Sequence, residues 1–534
     1  MPDLELKLFP HLGRKTDVPA NNPSLLQQNA NGFLSHDVGG LNFDIERKTM
    51  ACSKSFGYQK WSNSVNAQAT KCLGLFNLYD GTNRNHFMFD NGKLYKFDSS
   101  FDPADLNFAS PVTFATDDAD LYTAIRIGDY MVFTDRGETD MAKWKQGDAN
   151  LSKVIASGTD YLFRFIVSFQ RRLIGLYSDQ TDGNIDIRWS TAWPATAITS
   201  LNYPAANQLY VPNDDPITGG ATMGQDRCFI YSENSINQLV YYPDYELPFR
   251  LFTVVPDQGA VNHHSIVAVG NSHYLFNASY GFCRYDGGNV FPAGGKPISD
   301  DIETDIQGIN TAFYDLIVGT YIPIDREVCW TVPWGGESAP NRLFFYNVDT
   351  GQWRFEDKSM RFVDTWTMFT SYTWNDLIND LGGSGATWGL SNNETWAYYT
   401  SNRQRLSYGN TDGHLYYQGG NSVDGSALDG HRVEPVLDFG KPRVNTLVKE
   451  VWFDMGITGD YSLDLYHRGG NTLGELLGQS WTSMGSLSLD SAARPVIHVM
   501  QNARLHQFKW GTDGAAEDFE VHSLTFKYDQ REDV

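Results

Sequence analysis

Helical periodicity is nearly missing from this sequence. Of its 534 residues, only "TWNDLINDL", Thr373 to Leu381, gathers apolar side chains on one helical face: Trp374, Leu377, Ile378 and Leu381. A helical bundle is therefore excluded. Cysteine is scarce as well: Cys52, Cys72, Cys228, Cys283 and Cys329 are scattered singly, with no Cys-x-x-Cys pair. That pattern excludes a disulfide framework and a cysteine zinc site, and points to buried free thiols in a reducing compartment. Long apolar runs are absent too. The most apolar window, "YLFRFIVSFQRRLIGLY" from Tyr161 to Tyr177, is broken by Arg164, Arg171 and Arg172, and nothing reaches the roughly 18 to 20 apolar residues of a spanning helix. The start, "MPDLELKLFP", is acidic where a signal peptide would be basic. The expectation is a soluble protein made in a cytoplasm, so the Asn-x-Ser/Thr matches at Asn277 and Asn393 carry no glycosylation meaning.

Positive charge is the other deficit. Lys and Arg number 41 against 64 Asp and Glu, for a formal net charge of -23. Binding to nucleic acid needs clustered cations that displace condensed counterions, so this chain is not built to hold DNA. Acidic walls would instead let DNA pass without sticking.

Aromatic residues are plentiful, at 14% of the chain, and 49 glycines and 21 prolines are spread along it. Flat side chains suit pleated surfaces, and glycine supplies the positive φ of tight turns. A degenerate repeat runs aromatic alternation into Asp-Gly or Asn-Gly: "FMFDNGKLYKFD" (Phe87 to Asp98), "YMVFTDRGETDMAKWKQGD" (Tyr130 to Asp148), "YGFCRYDGGNV" (Tyr280 to Val290), "LFFYNVDTGQWRF" (Leu343 to Phe355) and "YGNTDGHLYYQGG" (Tyr408 to Gly420). Within "SIVAVGNSHYLFNASYGFCRYDGG" the spacing predicts strands over Ser265 to Val269, His273 to Phe276 and Tyr280 to Tyr285. Hairpins of this kind fit the blades of a β-propeller, with a β-sandwich as the competing all-β architecture.

Length allows about two to four domains. Residues 1-40 read as an initial strand, with Leu4, Leu6 and Leu8 alternating, followed by a Pro- and Asn-rich extended arm. Residues 41-428 read as the multi-bladed propeller. A composition shift at "DGHRVEPVLDFGKPR" then opens residues 429-534, a small C-terminal β-domain or set of closing strands, ending with Leu524, Phe526 and Tyr528 in alternation.

No catalytic motif emerges, and no catalytic, cofactor-binding or metal-binding residue is assigned. "AGGKPIS" puts Pro297 after Lys296, where a phosphate loop needs a backbone donor. A nucleophile elbow, a His-Glu-x-x-His helix and a dinucleotide fingerprint are all missing. The adjacent pair His263 and His264 would point to opposite faces of a strand, which suits a structural or solvent-facing role better than shared metal ligation. Asp117 with Asp118, Asp214 with Asp215 and Asp300 with Asp301 sit in turn-like contexts where Asp accepts local backbone bonds; the alternative is a carboxylate pair for glycoside cleavage. "NVDTGQW", Asn347 to Trp353, is similar to the Asp box of sialidase propellers, itself a structural turn. Trp144, Trp189, Trp193, Trp330, Trp334 and Trp353 could stack on sugars or pack between blades.

The order of segments resembles the tail nozzle, or tail hub, proteins of short-tailed bacteriophages, also called phage stabilisation or tail accessory proteins. The resemblance runs through "LNFDIERKTMACSKSFGYQKW" (Leu41 to Trp61), "LFNLYDGTNRNHFMFDNGKLYKFD", "FIVSFQRRLIGLYSDQTDGNIDIRWSTAWP", "DRCFIYSENSINQLVYYPDYELPFRLFTV" and "QGAVNHHSIVAVGNSHYLFNASYGFCRYDGGNVFPAGGKPISDDIETDI". It covers Leu41 to Asp305, about half the chain. Ser55 and Phe56 depart from the family's residues before Gly57 and Tyr58, and Gly259 and Ala260 stand where many members carry a Cys. The resemblance implies a non-enzymatic structural virion protein with no cofactor. It would form a homohexameric ring below the portal and its head-to-tail adaptor ring, in contact with tail fibre or tail tip proteins. Genomic DNA would pass through its lumen without specific binding. The implied location is the virion tail, assembled in the host cytoplasm without membrane insertion. The alternative is a glycan-binding or glycan-cleaving propeller that serves as a receptor-binding tail component.

Overall fold

Tight turns between short aromatic strands favour antiparallel meanders, because each turn returns the chain beside the strand it has just left. A computed structural model describes residues 4–531 apart from 46–50, 61–71, 81–82, 91, 98–102, 106–113, 115–120, 156–160, 194–200, 289, 291–295, 368–403, 411–413, 421, 442, 457–461, 489–494 and 515–516. The helix expected over Thr373 to Leu381 lies outside the described residues.

Six meanders follow one another. Blade 1 is Cys72–Asp80, Asn83–Asp90, Lys93–Phe97 and Pro103–Asp105; blade 2 is Thr123–Ile127, Tyr130–Thr134, Ala142–Lys145 and Ser152–Lys153. Blade 3 is Phe163–Phe169, Arg172–Ser178, Asp186–Trp189 and Gln208–Tyr210; blade 4 is Ile217–Met223, Arg227–Ser232, Ser235–Tyr241 and Phe249–Pro256. Blade 5 has three strands, Val267–Val269, Ser272–Asn277 and Gly281–Tyr285, close to the hairpin expected from its sequence. Blade 6 is Val318–Ile322, Glu327–Val332, Arg342–Asn347 and Trp353–Asp357. Blade 7 takes Phe362–Thr367, Gln404–Gly409 and Leu415–Gln418 from the late chain, and its fourth strand, Tyr58–Lys60, from before blade 1.

The first strand of each blade touches the first strands of its two neighbours, and that of blade 7 returns to that of blade 1. Among the described residues this makes a closed ring of seven sheets, a β-propeller. Its cores lie between blades. Phe87, Phe89, Phe133 and Trp144 fill the gap between blades 1 and 2, and Phe282, Trp330, Phe344 and Trp353 the gap between blades 5 and 6. Large rings at these positions span the space between twisted sheets, which explains the aromatic excess.

The chain's two ends form one further unit. Leu4–Phe9 pairs antiparallel with Glu520–Arg531, Leu6 opposite Phe526, in a sheet that also holds Asn445–Met455 and Val496–Ala503. A second sheet, ordered Gly430–Val433, Leu505–Thr512, Ser462–Gly470 and Thr482–Ser488, packs on it as a sandwich. Leu8, Phe43, Cys52, Phe508, Trp510 and Phe526 share its core. Phe43–Ile45 and Cys52–Lys54 belong to this sandwich through their pairing with Glu520–Arg531. The propeller therefore begins at Tyr58 rather than at the expected residue 41, because the intervening strands find their apolar partners in the sandwich core. The arm after Leu4–Phe9 is likewise held down: Arg14 N–H donates to the Trp353 carbonyl, and Arg14 forms ion pairs with Asp37 and Asp305, each at 3.0 Å.

Inside the sandwich His467 Nε2 lies 2.9 Å from His506 Nδ1, and His506 Nε2 lies 3.0 Å from the Thr446 carbonyl. A neutral pair satisfies this chain if each Nε2 carries the proton and donates. Burial, then each other's proximity, pushes His467 down to about 3, and burial pushes His506 down to about 4. Between about pH 6.5 and pH 4 the unfolded chain binds these protons and the folded one does not, so stability falls as pH falls through that window. From pH 7 to pH 5 the pair is expected to cost about 4 kcal/mol. Urea midpoints at the two pH values check this, and the difference should shrink in His467→Gln/His506→Gln; an equal difference in that variant refutes the assignment.

Candidate functional site

His263 and His264 lie in a 3-10 turn, His263–Ser265, rather than on a strand. The turn precedes the first strand of blade 5 and reaches across the propeller axis. His263 stacks on Phe165 of blade 3 with centroids 5.2 Å apart, and its Nδ1 accepts the Gly220 N–H of blade 4 at 3.2 Å. His264 meets Phe362 of blade 7 edge-on at 5.5 Å. Two neighbouring residues thus touch three blades, because a turn aims consecutive side chains in divergent directions. Asn262 fixes the turn: its Oδ1 accepts the Ser265 N–H at 2.6 Å, and its Nδ2 donates to the carbonyls of Tyr314 and Ile317. Trp330 Nε1 donates to the Ser265 carbonyl at 3.1 Å.

Burial holds both histidines neutral, His263 down to about 4 and His264 well below its ordinary range, where its neighbour His263 adds to the effect. Close packing also explains Gly219, since a Cβ there would lie 2.6 Å from His263 Cα. Gly219→Ala is expected to destabilise by about 2 kcal/mol through overpacking against backbone. Thermal denaturation reads this, and an unchanged melting temperature contradicts the contact.

The remaining sequence candidates do not converge on one place. Asp215 accepts from Asn234 N–H at 3.1 Å and from Ser235 Oγ at 2.6 Å, tying a turn of blade 4. Asp301 pairs with Lys15 of the arm, and Asp300 with Lys296. Asp117 and Asp118 lie outside the described residues, as does Asn393. Asn277 is buried, its Nδ2 donating to the Gly259 carbonyl. Asn347 Oδ1 accepts the N–H of Asp349 and of Thr350 at 3.1 Å, and Gly351 has φ 72°, so "NVDTGQW" is a turn between two strands of blade 6. Trp144, Trp189, Trp330 and Trp353 are buried between blades, while Trp193 and Trp334 pack against those cores. The Arg342 guanidinium covers the Trp334 ring at 3.7 Å. All five cysteines are buried and free. Among the described residues no group of three metal-ligating side chains occurs, and no helix is long and apolar enough to cross a membrane.

Two other sets of charged residues escaped the sequence reading. One is the joint between sandwich and propeller. Arg354 there pairs with Glu327 at 2.6 Å, with Asp44 at 3.3 Å and with Glu356, and Lys358 Nζ binds Glu356 and donates to the Phe56 carbonyl at 2.6 Å. Alternation in "WRFEDK" hides this, since charged positions on a blade strand read as solvent-facing. The second is Arg164 and Asp315, on blade 3 and just before blade 6, which lie near enough for their charges to act on each other although they are far apart in sequence.

No protein-family model and no curated protein matches the chain. Solved structures similar to it include virginiamycin B lyase from Staphylococcus aureus, at 9% identity and a TM-score of 0.37, covering 68% of this chain and 98% of that one. The extracellular domain of a candidate hybrid two-component system from B. thetaiotaomicron is also similar, at 9% identity and a TM-score of 0.41, covering 88% of this chain and 57% of that one. The chain is an all-β propeller protein. That assignment rests on its strand order.

Proposed function

We propose that this chain is a structural, non-enzymatic subunit of a short-tailed phage virion, a tail nozzle or hub that assembles as a six-fold ring below the portal and adaptor. The observation that carries the reading is a double lock. Leu4–Phe9 and Glu520–Arg531 lie paired in one sheet, and Tyr58–Lys60 closes the ring against Leu415–Gln418. The ring is therefore closed by a blade built from early and late strands, and the two ends of the chain are paired beside it, an arrangement suited to a part that must hold its shape while DNA leaves under load. The segments that resemble the nozzle family fall on the sandwich strands before Tyr58, on Tyr58–Lys60 and on blades 1, 3, 4 and 5. A charge of -23 per copy, repeated around a ring, would lower DNA adhesion most strongly at low salt. The tryptophans that favoured glycan stacking lie in blade packing, which removes most of the motivation for that alternative.

Negative-stain images of the purified assembly or of virions test the proposal. A ring with a central pore about six-fold in symmetry is expected; a stable monomer in mature virions sinks it. Incubation with host surface polysaccharide separates the alternative, since a nozzle should release no reducing ends.

A further inference from the structure

The outer strand of blade 4 is an uncovered sheet edge. Elsewhere the outer strands are short or shielded. Pro103–Asp105, Ser152–Lys153 and Gln208–Tyr210 have two or three residues, and Tyr58–Lys60 is flanked by Ser422–Val423. Trp353–Asp357 of blade 6 is covered by the chain's early residues: Arg14 N–H donates to the Trp353 carbonyl at 2.7 Å and Asn42 N–H to the Phe355 carbonyl at 2.9 Å. Phe249–Pro256 has eight residues and, among the described residues, pairs only with Ser235–Tyr241. Tyr242 N–H donates to the Pro248 carbonyl at 2.6 Å, so the alternation of an antiparallel ladder turns the backbone groups of Phe249, Leu251 and Thr253 away from that partner strand. No hydrogen bond from the described residues reaches them. A long edge of this kind is a template for another strand, and native proteins normally shorten, charge or cover it.

The side chains of this strand divide by face. Phe249 and Leu251 join the core between blades 3 and 4. Arg250 and Phe252 point the other way, toward blade 5, which has three strands and so no fourth strand to cover them. Phe252 is accordingly 46% exposed. The hairpin that leads into the strand adds Tyr245 and Leu247, 56% and 45% exposed. Bare backbone and an apolar rim therefore lie side by side, a combination that marks an interaction surface.

Charge selects the occupant. With a net charge of -23 each, two copies of this chain repel wherever acidic side chains meet. Phe249–Pro256 carries no acidic residue, and Arg250 is its one charged side chain. The Arg250 guanidinium lies 5.4 Å from the Tyr242 ring and 4.9 Å from the Tyr245 ring, and no carboxylate pairs with it among the described residues. The edge also complements itself. Antiparallel pairing about a two-fold axis at Leu251 sets Phe249 opposite Thr253 of the second copy, which uses every outward N–H and C=O of Phe249, Leu251 and Thr253. The same register sets Arg250 opposite Phe252 of the second copy, so each cation meets an aromatic ring and the two arginines never face each other.

We propose that two copies of this chain pair through their blade 4 edges, residues 249–253 antiparallel to residues 249–253, in the register that sets Arg250 against Phe252. The contact belongs to the propeller alone and is separate from the tail reading, because a two-fold pairing joins chains or whole rings and cannot close a six-fold ring. Sedimentation equilibrium of the full chain at concentrations up to about 100 µM tests it. Dimers, or paired rings, are expected for the wild type. Phe252→Lys sets two like-charge pairs opposite one another and should weaken the pairing by about ten-fold or more, whereas Phe252→Glu meets Arg250 and should keep most of it. Residue 252 projects from the surface of the single chain, so both variants should melt with the wild type, which separates lost pairing from lost folding. A wild type that stays unpaired leaves the edge to a different protein's strand and overturns the proposal; if it forms single rings, the tail reading stands without it. Equal weakening by the two variants marks an apolar contact without this register and overturns it as well.

Discussion

Removal of residues 1–60 is expected to abolish the cooperative melting of the whole chain, propeller included. The deletion takes Leu4–Phe9 and its neighbour Gly32–Ser35 out of their sheet, together with Cys52–Lys54, and bares the edge of Glu520–Arg531 that they covered. It also removes Tyr58–Lys60, the strand that closes blade 7, and leaves Leu415–Gln418 as a bare edge. Leu8, Leu25 and Phe43, all fully buried, go with it at roughly 1.5–3 kcal/mol each. Against a net stability of about 5–15 kcal/mol, this leaves little of the folded state. Circular dichroism melts and limited proteolysis read the outcome. A truncated chain that melts as sharply, within about 5 °C of the full chain, refutes the double lock and with it the observation that carries the nozzle proposal.

Arg432→Ala is expected to destabilise by about 3–5 kcal/mol, the range for breaking one half of a buried ion pair. Arg432 and Glu434 are completely buried, with Nε 3.2 Å from Glu434 Oε1. The guanidinium also donates to the Leu12 carbonyl at 3.0 Å and the Ser35 carbonyl at 2.7 Å, which ties the arm to the C-terminal strands. Trp510 Nε1 donates to the same Glu434 oxygen at 3.0 Å, a neutral donor that does not replace the charge lost with Arg432. The double variant Arg432→Met/Glu434→Gln should recover much of the loss, because it removes both charges rather than stranding one. Urea denaturation separates the two. A single variant that costs under about 1 kcal/mol, as a surface pair would, contradicts the structural role.

The hairpin around "YGFCRYDGG" was legible because strand alternation and turn glycines are local signals, and blade 5 follows it within two residues at each strand end. The strand character of both termini was legible for the same reason. Their pairing was not, since nothing near Leu6 refers to Phe526, 520 positions away. Tyr58–Lys60 shows a different limit: three residues alternating beside Gly57 look like a loop, and only an empty place in blade 7 makes them a strand. At the axis, His263 and His264 read as a strand pair because the apolar run that follows them is one. The turn that carries them is set by Asn262, whose side chain finds its partners 52 and 55 residues later.

By itself the sequence determined the all-β class, the blade hairpins, the free cysteines and the acidic balance, all properties of short-range pattern or of composition. Tertiary structure decided the number of blades, the merging of the two ends into one sandwich and the gathering of blades 3, 4 and 7 around His263 and His264. The physical reason is ring closure. A propeller brings the openings of its inner strands together around an axis whatever their separation along the chain, so its axial contacts join residues that no local pattern connects.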